Sequence, residues 1–130
     1  MFSVQPSSKF ERSAKVLKKS FKSKHQEQAF VDCVTAIVRS LVEEPRDPDS
    51  RLEPIPKGLD LPGNCEFRKL VFQVPGKSGA AGEGRLIYWV SYESHLIKLL
   101  WIYTHEDFKG RPADQDLRQV LKDTLEEEEA

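Results

Sequence analysis

Two strand-like runs decide the fold of this chain: Arg85-Leu86-Ile87-Tyr88-Trp89-Val90-Ser91-Tyr92 and His95-Leu96-Ile97-Lys98-Leu99-Leu100-Trp101-Ile102-Tyr103. Both are rich in the β-branched, aromatic and long apolar residues that central strands favour. Only Glu93 and Ser94 separate them, which is short enough for a tight hairpin turn. A third run, residues 67–74, precedes them and has the period of two that marks a strand. The three runs predict an antiparallel meander.

Two amphipathic helices are predicted before the meander. A short extended piece, residues 2–4, comes first, and Ser8 and Glu11 then have the spacing of a capping box with Ser8 as the N-cap. The first helix repeats apolar residues at helical spacing, namely Phe10, Ala14, Leu17 and Phe21. The second, residues 26–43, has the same period and ends before Pro45. Together they predict a helical hairpin with one shared apolar face.

The remaining segments are predicted to be loops and one further helix. Residues 45–63 contain five prolines and are expected to form an ordered loop or a linker, and residues 75–84 a flexible glycine-rich hairpin loop. Residues 114–125 have the pattern of a C-terminal helix. The expected fold class is α+β: a single domain over residues 1–130 in which the helical hairpin packs on a small antiparallel sheet, with an acidic C-terminal tail of about 109–130.

Length and composition exclude several classes of protein. The chain has 130 residues, 38% of them hydrophobic and 32% charged. No apolar run approaches the length of a membrane span, and the first residues lack the basic start and apolar core of a signal peptide. We therefore expect a cytoplasmic protein with no membrane partner. Cys33 and Cys65 have no C-x-x-C partner, so buried thiols are expected rather than a disulfide framework or a zinc knuckle.

The formal net charge of -1 conceals an uneven distribution. Residues 1–25 carry seven Lys or Arg against Glu11 alone, whereas the last thirty residues carry four against nine Asp or Glu. A basic surface of this kind attracts a phosphate backbone, and the acidic tail should then lie away from the contact. The same lysines also fit the solvated face of an amphipathic helix, and both interpretations stay open.

No cofactor or metal motif emerges from the sequence. Gly76-Lys77-Ser78 resembles the end of a P-loop, but Val71 stands where that motif requires its first glycine. The histidines, His25, His95 and His105, form no pair at metal-ligand spacing. No serine lies in a G-x-S-x-G elbow, and neither cysteine is near a histidine in sequence. We expect no cofactor, no metal and no covalent hydrolase.

Polar side chains collect at one end of the predicted meander. Arg85 opens one strand, Tyr103 and His105 follow the next, and Arg68 and Lys69 lie on opposite faces of the first. Antiparallel pairing brings Arg85 close to the segment from Tyr103 to His105. Arginine offers a planar fork to phosphoryl oxygens, and a histidine can move the proton of a ribose 2′-hydroxyl. The alternative is that these are ordinary strand-edge charges that discourage sheet pairing.

Three segments carry a resemblance to a known family: residues 8–19, 67–72 and 84–90, together with residues 99–103. In the third segment Gly84-Arg85 is followed by Ile87-Tyr88. With this order of segments the chain resembles the RelE/ParE superfamily of bacterial toxins from type II toxin-antitoxin systems, over about residues 2–108.

The resemblance implies the RelE fold, and for the RelE branch a ribosome-dependent endoribonuclease that cleaves messenger RNA by attack of the 2′-hydroxyl on the adjacent phosphate. The catalytic residues it implies are Arg85, His105, Lys69 and Tyr103, with His105 transferring the proton. The expected RNA-binding residues are Arg68, Lys69 and Arg85. Val71 departs from the family pattern, which usually has arginine there, and Glu106-Asp107 is acidic where many members are basic.

The implied partners are a cognate antitoxin, which would lay a helix or strand over the sheet cleft, and messenger RNA on the ribosome. Alternatives remain: a ParE-like gyrase poison, a catalytically inactive interaction module of the same fold, or a small protein whose charged sheet edge only docks a partner. The sequence leaves the oligomeric state open.

Overall fold

The computed structural model describes the backbone of residues 1–129 and the side chains of residues 1–126. Ala130, the last residue of the expected acidic tail, lies outside the described residues. In chain order the elements are β1 (Ser3–Pro6), α1 (Ser8–Lys19), α2 (Lys24–Glu43), β2 (Ser50–Leu52), β3 (Cys65–Gln73), α3 (Gly79–Gly82), β4 (Glu83–Ser91), β5 (Leu96–Thr104) and α4 (Asp114–Glu129). The predicted α+β fold, with its helical hairpin and its C-terminal helix, is confirmed.

The sheet has five strands in the order β1-β5-β4-β3-β2. The predicted meander forms its centre, where β3 pairs antiparallel with β4, and β4 with β5. The extended piece at the start of the chain adds a parallel edge strand beside β5. β4 and β5 are buried along nearly their whole length, in keeping with their almost continuous apolar sequences.

The helical hairpin covers one face of the sheet, which we call the hairpin face. Phe10 and Leu17 of α1 and Phe30 and Leu41 of α2 are buried there, on sheet residues that include Leu70, Leu86, Tyr88, Val90 and Ile97. These positions follow the helical period of α1 and α2 and the alternation of the strands, so the pattern in the sequence predicts which side chains meet.

The C-terminal helix α4 covers part of the opposite face, which we call the α4 face. Leu117 and Leu121 are buried among Phe67, Ile87, Trp89 and Leu100. The Nζ of Lys98, also buried, donates to the carbonyl oxygen of Thr124 at 2.8 Å. The acidic segment is therefore partly a packed element of the fold.

Several local predictions need correction. The N-cap of α1 is Ser7 rather than Ser8, because the Ser7 hydroxyl accepts the Phe10 N–H at 3.0 Å. The proline-rich segment, expected to be a loop or linker, contributes edge strand β2, and the expected flexible loop contains the short helix α3. His95 lies in the turn before β5 with a positive φ of 51°, not in the strand. The two cysteines, which form no disulfide, are half-buried rather than buried.

Ser7 anchors α1 to the sheet as well as capping it, since its hydroxyl also donates to the Leu100 carbonyl oxygen at 3.1 Å. We expect Ser7→Ala to lower the free energy of unfolding by about 1–2 kcal/mol, because the helix loses its cap and a buried carbonyl loses a donor. The matched change is Ser8→Ala, at the exposed first residue of the helix, with an expected effect within about 0.5 kcal/mol. Urea denaturation measures both, and equal losses would contradict the assignment of the cap.

Candidate functional site

The pairing of β4 with β5 brings the predicted site residues together. Arg85 lies directly opposite Tyr103 on β5 and opposite Val71 on β3. Opposed residues of antiparallel strands point to the same face. A register shift between Ile87 and Tyr88 leaves one extra residue, Leu100, on β5. A shift of one residue changes which side chains are opposed across the two strands. The extra residue therefore helps to set the pairing that places Tyr103 opposite Arg85.

A cavity of about 510 Å³, which we call the Arg85 cavity, lies at this end of the α4 face. Three of the predicted site residues line it: Lys69, Arg85 and His105. The other lining residues are Arg51, Glu53, Pro54, Lys109, Gly110 and Arg111. Five of all the lining residues are lysines or arginines, so the cavity has the charge that a phosphate group requires.

Glycine is required at the start of β4 by packing. A Cβ at Gly84 would come within 2.5 Å of Cζ in the Phe72 ring. The following residue, Arg85, has a side chain that is 16% exposed and donates to the Gly84 carbonyl oxygen at 3.1 Å. It also lies 3.7 Å from the exposed carboxylate of Glu83. Such a surface ion pair is weak, so the guanidinium remains available to an anion.

His105 is held at the cavity by its backbone. Its N–H donates to the Glu83 carbonyl oxygen at 2.9 Å, so the histidine is fixed to the start of β4. The turn that follows is closed by Asp107, whose carboxylate accepts from the N–H and hydroxyl of Thr104 at 3.0 and 3.1 Å. The imidazole is half-buried at the wall of the cavity.

A buried carboxylate joins two of the cations of the cavity. The side chain of Glu53 is 6% exposed and lies 3.4 Å from Nζ of Lys69 and 3.2 Å from a guanidinium nitrogen of Arg111. Arg111 also donates to the Pro54 carbonyl oxygen at 2.6 Å and to Asp114 at 2.9 Å. The Lys57 N–H and Arg111 together hold the pKa of Asp114 below its ordinary value. These contacts tie the segment after β2 to the start of α4.

Tyr103 is 2% exposed, and its hydroxyl has no hydrogen-bond partner within the described part of the chain. Burial, and after it the negative charge of Glu53, raise the pKa of this hydroxyl to about 12 against the opposing effect of Arg85 and Arg111. Its ring packs edge-on against Phe108, with 5.5 Å between centroids. Buried tyrosine hydroxyls usually find a partner, so this unpaired hydroxyl is notable beside the charges of the cavity.

Arg68 is not brought to this cavity. It lies opposite Tyr88 and so faces the hairpin side of the sheet. Its guanidinium donates to the Ser50 hydroxyl at 2.8 Å and to Glu66 at 3.2 Å. Glu66 is shared with Arg46 at 3.1 Å. The structure therefore separates Arg68 from Lys69 and Arg85 and assigns it to a network that holds the segment before β2.

The acidic pair Glu106-Asp107 also lies apart from the Arg85 cavity. Both residues line a second groove of about 630 Å³ between α1 and the end of β5, together with Lys9, Arg12 and Lys77. Neither lines the Arg85 cavity. The departure from the basic family pattern at these positions therefore leaves the charge of that cavity unchanged.

Sequence reasoning missed Arg51, Glu53, Lys109 and Arg111. Arg51 lies directly opposite Lys69 because β2 extends the sheet, and it adds a cation next to Val71, where the family pattern has arginine. A stretch free of proline, Ser50-Arg51-Leu52, left room for β2 between Pro48 and Pro54, but the proline content of the whole segment favoured a loop. Arg111 reaches the site from outside the sheet.

In the part of the chain that the structure describes, no cluster of three His, Cys, Asp or Glu side chains is arranged to hold a metal ion. Within the same residues, no helix has the length and apolar character needed to cross a membrane.

Comparison with known proteins gives matches to solved structures alone. No protein-family model matches the chain. No curated protein matches it either. A metal-bound toxin from Helicobacter pylori is 19% identical with a TM-score of 0.50, over 83% of this chain and 99% of that one.

Two further structures are similar at lower TM-scores. The archaeal RelE-RelB complex from Pyrococcus horikoshii has 16% identity and a TM-score of 0.48, over 79% of this chain and 93% of that chain. A mutant of the E. coli toxin RelE in the free state has 16% identity and 0.47, over 83% and 87%. The likeness to the Helicobacter pylori toxin, at a TM-score of 0.50, shows that the chain shares the fold of that protein, in agreement with the toxin fold that the sequence resemblance implied.

Proposed function

We propose that this protein is the toxin of a toxin-antitoxin system and an endoribonuclease that cleaves messenger RNA on the ribosome. The observation that carries the proposal is the meeting of Lys69, Arg85 and His105 around one cavity. Residues that are distant in sequence supply two cations and one imidazole to the same space. This combination suits a phosphodiester whose neighbouring hydroxyl must lose a proton.

The proposed reaction needs no cofactor. The ribose 2′-oxygen forms a bond to phosphorus, and the bond from phosphorus to the 5′-oxygen breaks. The products are a 2′,3′-cyclic phosphate and a 5′-hydroxyl end. His105 accepts the proton of the 2′-hydroxyl and passes it to the leaving 5′-oxygen. Arg85 and Lys69 stabilise the charge that builds on the phosphoryl oxygens.

Tyr103 is proposed to act as a neutral hydrogen-bond donor. Because its pKa is raised to about 12, it stays protonated at neutral pH and cannot serve as the base. Its hydroxyl has no partner in the described residues, and the role given to it is to donate to a phosphoryl oxygen once RNA binding exposes it. Of the predicted RNA-binding residues, Lys69 and Arg85 fit this proposal, while Arg68 is engaged on the hairpin face.

A small antitoxin is the proposed protein partner, acting in the cytoplasm. The role given to it is to cover the Arg85 cavity and so exclude RNA. An acidic segment would suit the five cations that line the cavity. A ParE-like gyrase poison remains the alternative, and intact transcripts together with DNA damage on expression would favour it.

Arg85→Ala is expected to lower the rate of messenger RNA cleavage by about 100-fold or more, because one donor to the phosphoryl oxygens is lost. The measurement is primer extension on a defined message in a translating extract, with growth arrest on expression as the cellular readout. Arg46→Ala removes an exposed arginine of the hairpin-face network and should leave cleavage unchanged. Equal cleavage by wild type and Arg85→Ala, with both proteins folded, would refute the assignment.

Tyrosine titration tests the placement of Tyr103. Burial raises the pKa of all three tyrosines, to about 12 for Tyr92 and Tyr103, and raises that of Tyr88 as well. Because the folded state holds these protons more tightly, their contribution to stability is constant at neutral pH and is lost as pH rises from about 10 towards 12. We expect little phenolate absorbance from native protein near pH 10, and a smaller late transition in Tyr103→Phe. An early transition that this variant removes would contradict the buried position.

A further inference from the structure

The carboxylate of Glu53 is held by two cations of the Arg85 cavity. It lies between the ammonium of Lys69, at 3.4 Å, and the guanidinium of Arg111, at 3.2 Å. These two cations come from different parts of the fold, β3 and the segment before α4. A carboxylate and a phosphate present oxygens of similar geometry to such donors.

The charges around Glu53 are unbalanced. Arg51, Lys69, Arg85, Lys109 and Arg111 line the cavity, and Glu53 is the one carboxylate among the lining residues. Glu83 and Asp114 are near individual arginines at 3.7 and 2.9 Å but do not line the cavity. Clustered like charges oppose one another, so the cavity has capacity for more negative charge than a single carboxylate provides.

A second observation concerns Tyr103, which lies opposite Arg85 in the sheet but lines the groove beside α1 rather than the Arg85 cavity. The Tyr103 hydroxyl is buried and, among the described residues, has no hydrogen-bond partner. The charges of Glu53, Arg85 and Arg111 all act on it. A buried donor without a partner costs free energy, and an acceptor that reached it would recover that cost.

We propose that Lys69 and Arg111 form an anion-binding site that Glu53 occupies as an internal competitor, and that a phosphodiester of RNA binds there by displacing the Glu53 side chain. The identity of the ligand as RNA rests on the proposed function. The anion site itself does not, because inorganic phosphate probes it directly.

Displacement requires only the side chain to move. The backbone of Glu53 is fixed to β3, since its N–H donates to the Phe67 carbonyl oxygen at 2.8 Å. Arg111 stays in position without Glu53 because it also donates to the Pro54 carbonyl oxygen and to Asp114. Arg111 therefore remains at the site when the carboxylate rotates away, and the backbone of Lys69 stays fixed in β3.

The test compares the affinity for inorganic phosphate of the wild-type protein, Glu53→Gln and Glu66→Gln, by isothermal titration calorimetry at constant ionic strength. Glu66 is the matched control, because it also bridges two cations, Arg46 and Arg68, but on the hairpin face. We expect Glu53→Gln to bind phosphate about tenfold more tightly than wild type, equivalent to about 1.4 kcal/mol, and Glu66→Gln to bind as wild type does. Adding Lys69→Met to Glu53→Gln should remove the gain.

Unchanged or weaker binding by Glu53→Gln would overturn the proposal, as would an equal gain in Glu66→Gln. If Glu53→Gln does not fold, Glu53→Asp provides the test, because its shorter side chain withdraws the carboxylate from the cations and should raise phosphate affinity in the same direction. The proposal of an anion site and the proposal of ribonuclease activity can be refuted independently of each other. Tighter phosphate binding without RNA cleavage by the wild type would refute the ribonuclease alone, and cleavage with unchanged phosphate affinity would refute the competitor alone.

Discussion

The register of β4 against β5 is the constraint on which the site depends. These two strands are the most buried elements of the sheet, so their pairing is fixed by the apolar side chains that each face must bury. With that pairing, and with the extra residue Leu100 on β5, Arg85 lies opposite Tyr103. His105 then follows at the cavity wall, two residues beyond. The chemistry of the site is thus held by the same packing that stabilises the fold.

Elements with strong periodicity could be predicted from the sequence, and elements that depend on tertiary contacts could not. The apolar period of α1 and α2 and the long runs of β4 and β5 identified the hairpin and the central strands. The N-cap of α1 was predicted one residue too late, because Ser7 and Ser8 are both residue types that cap helices. Only the folded structure distinguishes them, since the Ser7 hydroxyl also donates to the Leu100 carbonyl oxygen of the sheet. β2 was missed because an edge strand of three residues depends on β3 for its existence.

The same division holds for the site. Antiparallel connection was sufficient to bring Arg85 and His105 together, and alternation along β3 was sufficient to place Lys69 and Arg68 on opposite faces. Glu53 and Arg111 lie 58 residues apart and meet only in the folded chain. Their pairing shows how a strongly cationic cavity is kept stable without an external anion, since buried charges persist when they are partnered. It also implies that an anion bound at Lys69 would replace the ion pair with Glu53 that stabilises the folded protein.

The most direct test of the common cavity is a proton NMR titration of the three histidine ring resonances with a short RNA whose 2′-hydroxyls are methylated, so that it binds without being cleaved. The expected result is a shift of the His105 resonances with those of His25 and His95 unchanged, and loss of that shift in Arg85→Ala. RNA binding that leaves His105 unaffected, or a His105 shift that persists without Arg85, would contradict a shared phosphate site.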